Sequence, residues 1–224
     1  MKRSEINANI VKAKELFASL NFRLPSWAFW SPADWAKVGP EAREIKESML
    51  GWDITDFSSG DFAKVGLTLF TIRNGNLANP NNKKTYGEKI MLVQPKQITP
   101  MHFHDAKMED IINRGGGELV IELYKATPDD KLDETDEVVV SIDGIEHTVK
   151  PGGRVTLKPG ESIALPQRLY HQFWAEGADC MVGEVSMTND DTKDNHFLTP
   201  LGRFPAIDED EPPVHLLCNE YPAL

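Results

Sequence analysis

The chain has 224 residues, 40% of them hydrophobic and 26% charged, with a net charge of −11. Such a chain can bury a good core, while its negative charge argues against nucleic acid or an anionic membrane as partner, since both need a basic surface. The N-terminus shows no signal-peptide pattern, no stretch approaches the roughly 20 apolar residues of a membrane span, and Cys180 and Cys218 without a CxxC make no disulfide framework, so reduced thiols in a cytoplasmic protein are expected.

Ile6, Ile10, Ala13, Phe17 and Leu20 recur at helical spacing, with Lys12, Lys14 and Glu15 between them. This pattern predicts an amphipathic surface helix, capped near Ser4. Ser31-Pro32 reads as a cap followed by proline at the first helical position, with Asp34 in the first turn. Gly39-Pro40 opens another helical segment, "PEAREIKESML", which Gly51 is expected to close. From residue 65 the texture changes: "VGLTLFTIRNG" is β-branched and aromatic, and Asn74-Gly75 signals a turn.

Short strands follow, in "EKIMLVQP", "QITPMHFH", "EDIINR", "GELVIELYK", "DEVVVSIDGIEHTVK", "RVTLKPGESIALP", "LYHQFWAE" and "CMVGEVSM", with Asp143-Gly144 as a type I′ hairpin turn. Many short, evenly spaced strands predict a sandwich or barrel. "TPDDKLDETDE" reads as a solvated loop, and the proline-bearing tail from Asn189 is expected to wrap the barrel. The result is one mainly β domain, with a helical extension over 1–60, a barrel core over 61–188 and a tail over 189–224.

The chemistry concentrates in "PMHFHDAKMED". Alternation along a strand puts His102 and His104 on one face, a waiting half-site for a metal ion. The spacing continues as His102-x-His104-x4-Glu109-x6-Gly116, then Gly160-x5-Pro166-x4-His171. These two motifs resemble those of the cupins, whose facing strands supply two His and a Glu, then a third His, inside a jelly-roll barrel. Three positions depart from the pattern: Lys96 and Arg168 stand where cupins carry glycine, and Ala175 where they carry asparagine. Those are turn and packing positions, so the ligand set His102, His104, Glu109 and His171 survives. Three imidazoles and a carboxylate suit Mn²⁺, Fe²⁺, Co²⁺, Ni²⁺ or Zn²⁺. His147 and His215 read as ordinary surface or satisfied histidines, and His196 either lines the pocket mouth or caps a turn.

Beyond the motifs, "GLTLFTIRNG", "TPMHFH", "EDIINRGGG", "LYHQFWAE", "GEVSMTNDD", "DNHFL" and "IDEDEP" resemble the D-lyxose isomerases, over most of residues 50–222. The resemblance implies a homodimeric enzyme, most often loaded with Mn²⁺, that interconverts D-lyxose with D-xylulose and D-mannose with D-fructose. Such a reaction moves a hydrogen between C1 and C2 of the sugar, either as a proton through an enediol held by the metal or as a hydride. Lys107, two residues before Glu109 and on its face if extended, is a candidate shuttle, since a nearby cation would depress its pKa. Lys89 and Glu184 are the others, Glu184 on a last strand beside the one bearing His171, and Glu109 can double as proton acceptor. Trp27, Thr99, Phe173, Asp190, Asn195 and Arg203 are available to bind the hydroxyls and ring of a free sugar. "NRGGGE" reads as a structural turn rather than a phosphate cradle. A manganese or iron cupin oxidase or dioxygenase, and a non-catalytic sugar-binding cupin, remain the alternatives.

Overall fold

The computed structural model of the protein describes residues 1–191 and 193–223. The described residues form helices α1 (Arg3–Ser19), α2 (Pro32–Trp35) and α3 (Arg43–Glu47). They also form twelve strands: β1 (Gly51–Thr55), β2 (Leu67–Arg73), β3 (Tyr86–Val93), β4 (Thr99–His104), β5 (Glu109–Ala126), β6 (Leu132–Asp133), β7 (Val138–Ile142), β8 (Ile145–Val149), β9 (Gly153–Leu157), β10 (Ser162–Leu165), β11 (Leu169–Met187) and β12 (Asn195–Phe197).

The architecture follows from β5 and β11, which at 18 and 19 residues are too long for one layer of a twisted sheet. They run antiparallel to each other along their whole length and bend together. The half of β11 from Cys180 onward lies between β3 and the start of β5, in the order β1-β2-β3-β11-β5-β10-β7-β8. Its other half pairs with β4, which carries β12 on its far edge, and with the later part of β5, which also pairs with β9. Two sheets thus share two strands and face each other across an apolar core that includes Leu69, Met91, Ile121, Leu157 and Phe173. This is the expected jelly-roll.

The bend explains two segments that read as breaks. "EDIINR" and "GELVIELYK" are one strand, and the glycines between them form a bend inside it rather than a turn. There the backbones approach so closely that a Cβ on Gly116, at φ +92°, would lie 2.1 Å from the Asp179 carbonyl oxygen. "LYHQFWAE" and "CMVGEVSM" are likewise one strand, with a bulge between Glu176 and Cys180. Before the bulge the inward residues are odd-numbered (Leu169, His171, Phe173, Ala175), and after it they are even-numbered (Cys180, Val182, Glu184). His171 and Glu184 therefore both point inward on a single strand. Glu184 was expected on a separate strand beside that of His171.

The N-terminal helix packs as its spacing predicts. Ile6, Ile10, Ala13 and Phe17 are fully buried against Ile54, Phe70, Ile90 and Leu92, on the outer face of the first sheet. It begins at Arg3 with Lys2 as its cap, so Ser4 lies inside it and its hydroxyl donates to Asp210. Ser31 caps α2 as anticipated, and Asp34 accepts in return from the Ser31 N–H, which makes the cap reciprocal. The helical extension ends before residue 60, because Gly51–Thr55 is a strand paired with β2. Asp143-Gly144 makes the expected I′ turn, with φ of 49° and 81°. The tail divides its work: β12 pairs with β4, and the later part returns to α1, where buried Arg3 pairs with Glu209 and Glu220. Lys96 and Arg168 adopt left-handed backbone, at φ 61° and 58°, so the motif geometry is retained without glycine.

Candidate active site

Three buried imidazoles converge between the sheets. His171 on β11 and His102 on β4 are register partners on neighbouring strands, not on opposite walls as the motif suggests, and His104 follows two residues on. A register shift between His171 and Phe173 lets odd-numbered Thr99 share the chamber with even-numbered His102 and His104. Each ring is oriented by a backbone carbonyl at Nδ1: Pro100 for His102 at 2.7 Å, Asp194 for His104 at 3.2 Å, and Leu169 for His171 at 3.0 Å. A proton on Nδ1 leaves Nε2 as the lone-pair atom. The Nε2 atoms of His104 and His171 are buried without a hydrogen-bond partner. Burial, reinforced by the neighbouring imidazoles, holds His102 well below its ordinary pKa, and burial with Lys107 lowers His104, so both rings stay neutral.

The three histidines offer ligand atoms within 4.8 Å of one another and can hold a divalent metal. Glu109, the first residue of β5, brings Oε1 to 3.2 Å from His171 Nε2 and 3.6 Å from His104 Nε2, while its Oε2 lies 2.6 Å from Lys107 Nζ. Lone-pair nitrogens with oriented rings beside a carboxylate are a donor set that fits a borderline divalent ion.

From Glu109 a line of alternating charges crosses the chamber. Lys107 Nζ also reaches Glu184 Oε1 at 3.0 Å, and the same oxygen lies 3.4 Å from Lys89 Nζ. Lys89 continues to Asp191 at 3.1 Å, Asp191 to Arg203 at 3.5 Å, and Arg203 clasps Asp53 on β1 with both terminal nitrogens. Lys107 sits in the β4–β5 connection, not on a strand. Burial works to lower its pKa, but Glu109 and Glu184 outweigh burial and raise it, keeping the ammonium charged. The depression expected from a nearby cation is thus opposed by two carboxylates.

The chamber, of about 50 Å³, is lined by Thr99 and Phe173 as well as the charged groups. Lys89, Asp191 and Arg203 separate it from a larger cavity of about 330 Å³, and Asp190 lines that outer cavity rather than the chamber. Asn195 borders the chamber and donates to the Asp191 carbonyl at 3.2 Å. Trp27 is elsewhere: it packs on Phe70, 4.8 Å between ring centroids, in the apolar layer under α1. An aromatic between two predicted helices reads equally well as core, and here core packing claims it. His196 stacks on Phe103 on the outer face and pairs with Asp105 at 2.7 Å. His215 is buried between Trp30 and Lys14, and His147 is exposed on β8.

Asp53, Asp191 and Asp194 are site residues the sequence reading did not single out. Asp191 and Asp194 stand in "NDDTKDN", an acidic run that by itself reads as solvated. The signal in reach was that buried-strand Lys89 needs a carboxylate partner.

A sequence model of the D-lyxose isomerase family matches residues 1–221. The chain is 50% identical to a D-lyxose/D-mannose isomerase of Escherichia coli O157:H7 and 49% identical to one of Serratia proteamaculans, in each case over 99% of this chain and 98% of the relative. Among solved structures it resembles the L-ribose isomerase of Cellulomonas parahominis, with a TM-score of 0.60 at 17% identity, over 93% of this chain and 98% of that one. That distant likeness speaks for the fold. With full-length relatives at half identity, and with the described residues forming a jelly-roll whose imidazoles and charged side chains meet in one chamber, the chain belongs to the D-lyxose isomerase family and is an aldose–ketose isomerase.

Proposed function

We propose that the chain interconverts D-lyxose with D-xylulose and D-mannose with D-fructose, by proton transfer through a cis-enediol of the sugar. The observation that carries the reading is half identity, across the whole length, to two D-lyxose/D-mannose isomerases. The chamber supports it, because a carboxylate and an ammonium stand together beside a donor set for a divalent ion. His102, His104 and His171 through Nε2, with Glu109 through Oε1, would hold that ion, Mn²⁺ first and Co²⁺, Fe²⁺, Ni²⁺ or Zn²⁺ as substitutes. When bound it supplies Lewis-acid polarisation of the sugar's carbonyl and neighbouring hydroxyl.

The protein's own residues do the rest. Glu184 takes the proton from C2 of the aldose and returns it to C1. Lys107 Nζ delivers a proton to O1 as the enediol forms and recovers one from O2 as it collapses. Lys89 holds the Glu184 carboxylate from the other side, at 3.4 Å. Glu109 serves as ligand and as counter-ion to Lys107. Thr99 and Arg203 offer polar contacts to the sugar, and Phe173 is an apolar wall, while Asp190 meets only a sugar that extends into the outer cavity. The family resemblance further supports a homodimer and a cytoplasmic location; no helix among the described residues is long and apolar enough to cross a membrane. Incubation of Mn²⁺-loaded protein with D-lyxose should yield D-xylulose without oxygen uptake. Oxygen uptake with no ketose would turn the assignment to a cupin oxidase.

A further inference from the structure

Asp194 touches the site twice, and neither contact is with the chamber itself. Its carboxylate accepts three backbone N–H bonds from the β4–β5 connection: Asp105 at 3.1 Å and Ala106 at 2.8 Å on Oδ1, and Lys107 at 3.0 Å on Oδ2. Its own carbonyl oxygen faces His104 Nδ1 at 3.2 Å. The residue is in turn held by its N–H, which donates to the Asp190 carbonyl at 2.9 Å, and by β12, whose Asn195 is the register partner of His104. One side chain from the tail therefore shapes the turn that presents Lys107, and the same residue's backbone sets the ring of His104.

The physical reason for a charged residue here is the turn. Three successive N–H groups point to one spot with no strand partner, and an ionised carboxylate is the strongest acceptor that can satisfy them together. Without it the connection loses the bonds that fix Lys107 Nζ between Glu109 and Glu184, at 2.6 and 3.0 Å. The strand residue carrying a metal-binding nitrogen loosens with it. We propose that Asp194 is a positioning residue of the active site, coupling the tail to both the His104 ligand and the Lys107 ammonium. This rests on the metal-dependent reading of the chamber.

The test uses full-length Asp194→Ala and Asp194→Asn, the latter retaining one acceptor oxygen. Three quantities are compared with wild type: the Mn²⁺ dissociation constant by calorimetry, kcat and KM for D-lyxose at saturating Mn²⁺, and amide hydrogen exchange at 105–107 in metal-free protein. Asp194→Ala should bind Mn²⁺ about 10–100-fold more weakly, lose kcat with KM much less affected, and lose protection at 105–107, with Asp194→Asn between it and wild type. Metal affinity and kcat within twofold of wild type in Asp194→Ala would overturn the proposal, as would losses in both variants that only follow a smaller folded fraction in thermal melts. If wild type binds Mn²⁺ but turns over no aldose, the proposed reaction fails while the affinity comparison still decides the role of Asp194. If wild type binds no divalent ion, the metal reading fails and exchange at 105–107 decides whether Asp194 sets the turn.

Discussion

Lys89 and Glu184 are register partners on β3 and β11, and Glu184 Oε1 is shared between Lys89 at 3.4 Å and Lys107 at 3.0 Å. A carboxylate flanked by two ammonium groups, all buried, is held in one position between them. Removing its charge while keeping its shape isolates that function. Glu184→Gln is expected to lower kcat by about 10²–10⁴-fold, the usual contribution of a positioned acid or base. Its Mn²⁺ affinity should stay within a few-fold of wild type, because Glu184 is not among the proposed ligands. Steady-state kinetics alongside calorimetry checks both halves of the statement.

Metal removal should show in stability as well as activity. An ion bound only by the folded chain stabilises it by about 2.7 kcal/mol at a concentration of 100 times Kd. For a chain of this size that corresponds to roughly 5–11 °C in Tm. Chelator-treated protein should melt lower by that order, regain the difference with Mn²⁺, and be inactive before reloading. His171→Ala should lose the metal-dependent part of the melt.

Arg203 is the last cation of the charge line and holds Asp53 and Asp191 together. Truncating it leaves two carboxylates facing each other with one cation fewer. Breaking a buried pair from one side typically costs 3–5 kcal/mol; Arg203 and Asp191 are partly exposed, so roughly 2–3 kcal/mol is expected for Arg203→Met. Asp53→Asn combined with Arg203→Met should recover part of that loss. Urea denaturation of the two variants measures the difference.

Acid should weaken the fold in two stages. Burial depresses the pKa of His215, with Lys14 adding to the effect. Its folded value lies below the unfolded one, so the unfolded chain takes the proton first, and stability present above about pH 6.5 is lost as pH falls further. At Asp191 burial pushes the pKa up, but Lys89, Arg203 and Lys107 outweigh it and hold the group far below the carboxylate range. Its contribution is present above about pH 4 and lost below that. Urea midpoints of metal-free protein should be level down to about pH 6.5, decline to about pH 4 as the buried His215, His102 and His104 oppose protonation in the folded chain, and drop more steeply beyond.

The convergence of the proposed metal ligands was legible in part because their spacing is local: His102, His104 and Glu109 fall within eight residues, and alternation along one strand aligns the first two. The facing of Glu184 was not derivable by counting, since the Glu176–Cys180 bulge reverses which residues of β11 point inward. Glycine runs and short polar stretches inside β5 and β11 imitate turns, so two long bent strands read as four short ones. Asp53 lay in a segment that looked helical, and Asp191 and Asp194 in one that looked solvated. Asp53 is held by Arg203, Asp191 by Lys89, and Asp194 by backbone N–H groups of the β4–β5 connection, all far away in sequence, which local pattern does not reveal. Trp27 failed for the opposite reason, because an isolated aromatic fits an apolar layer as readily as a sugar wall.

Proton NMR of the Mn²⁺-loaded protein with D-lyxose in D₂O tests the central claim most directly. If Glu184 carries the proton between C2 and C1, D-xylulose appears with deuterium at C1, to the extent that the carboxyl exchanges with solvent during turnover. Glu184→Gln should then slow the appearance of product and label together, by about 10²–10⁴-fold. Absence of any ketose from D-lyxose and D-mannose, with the metal bound, would contradict the account.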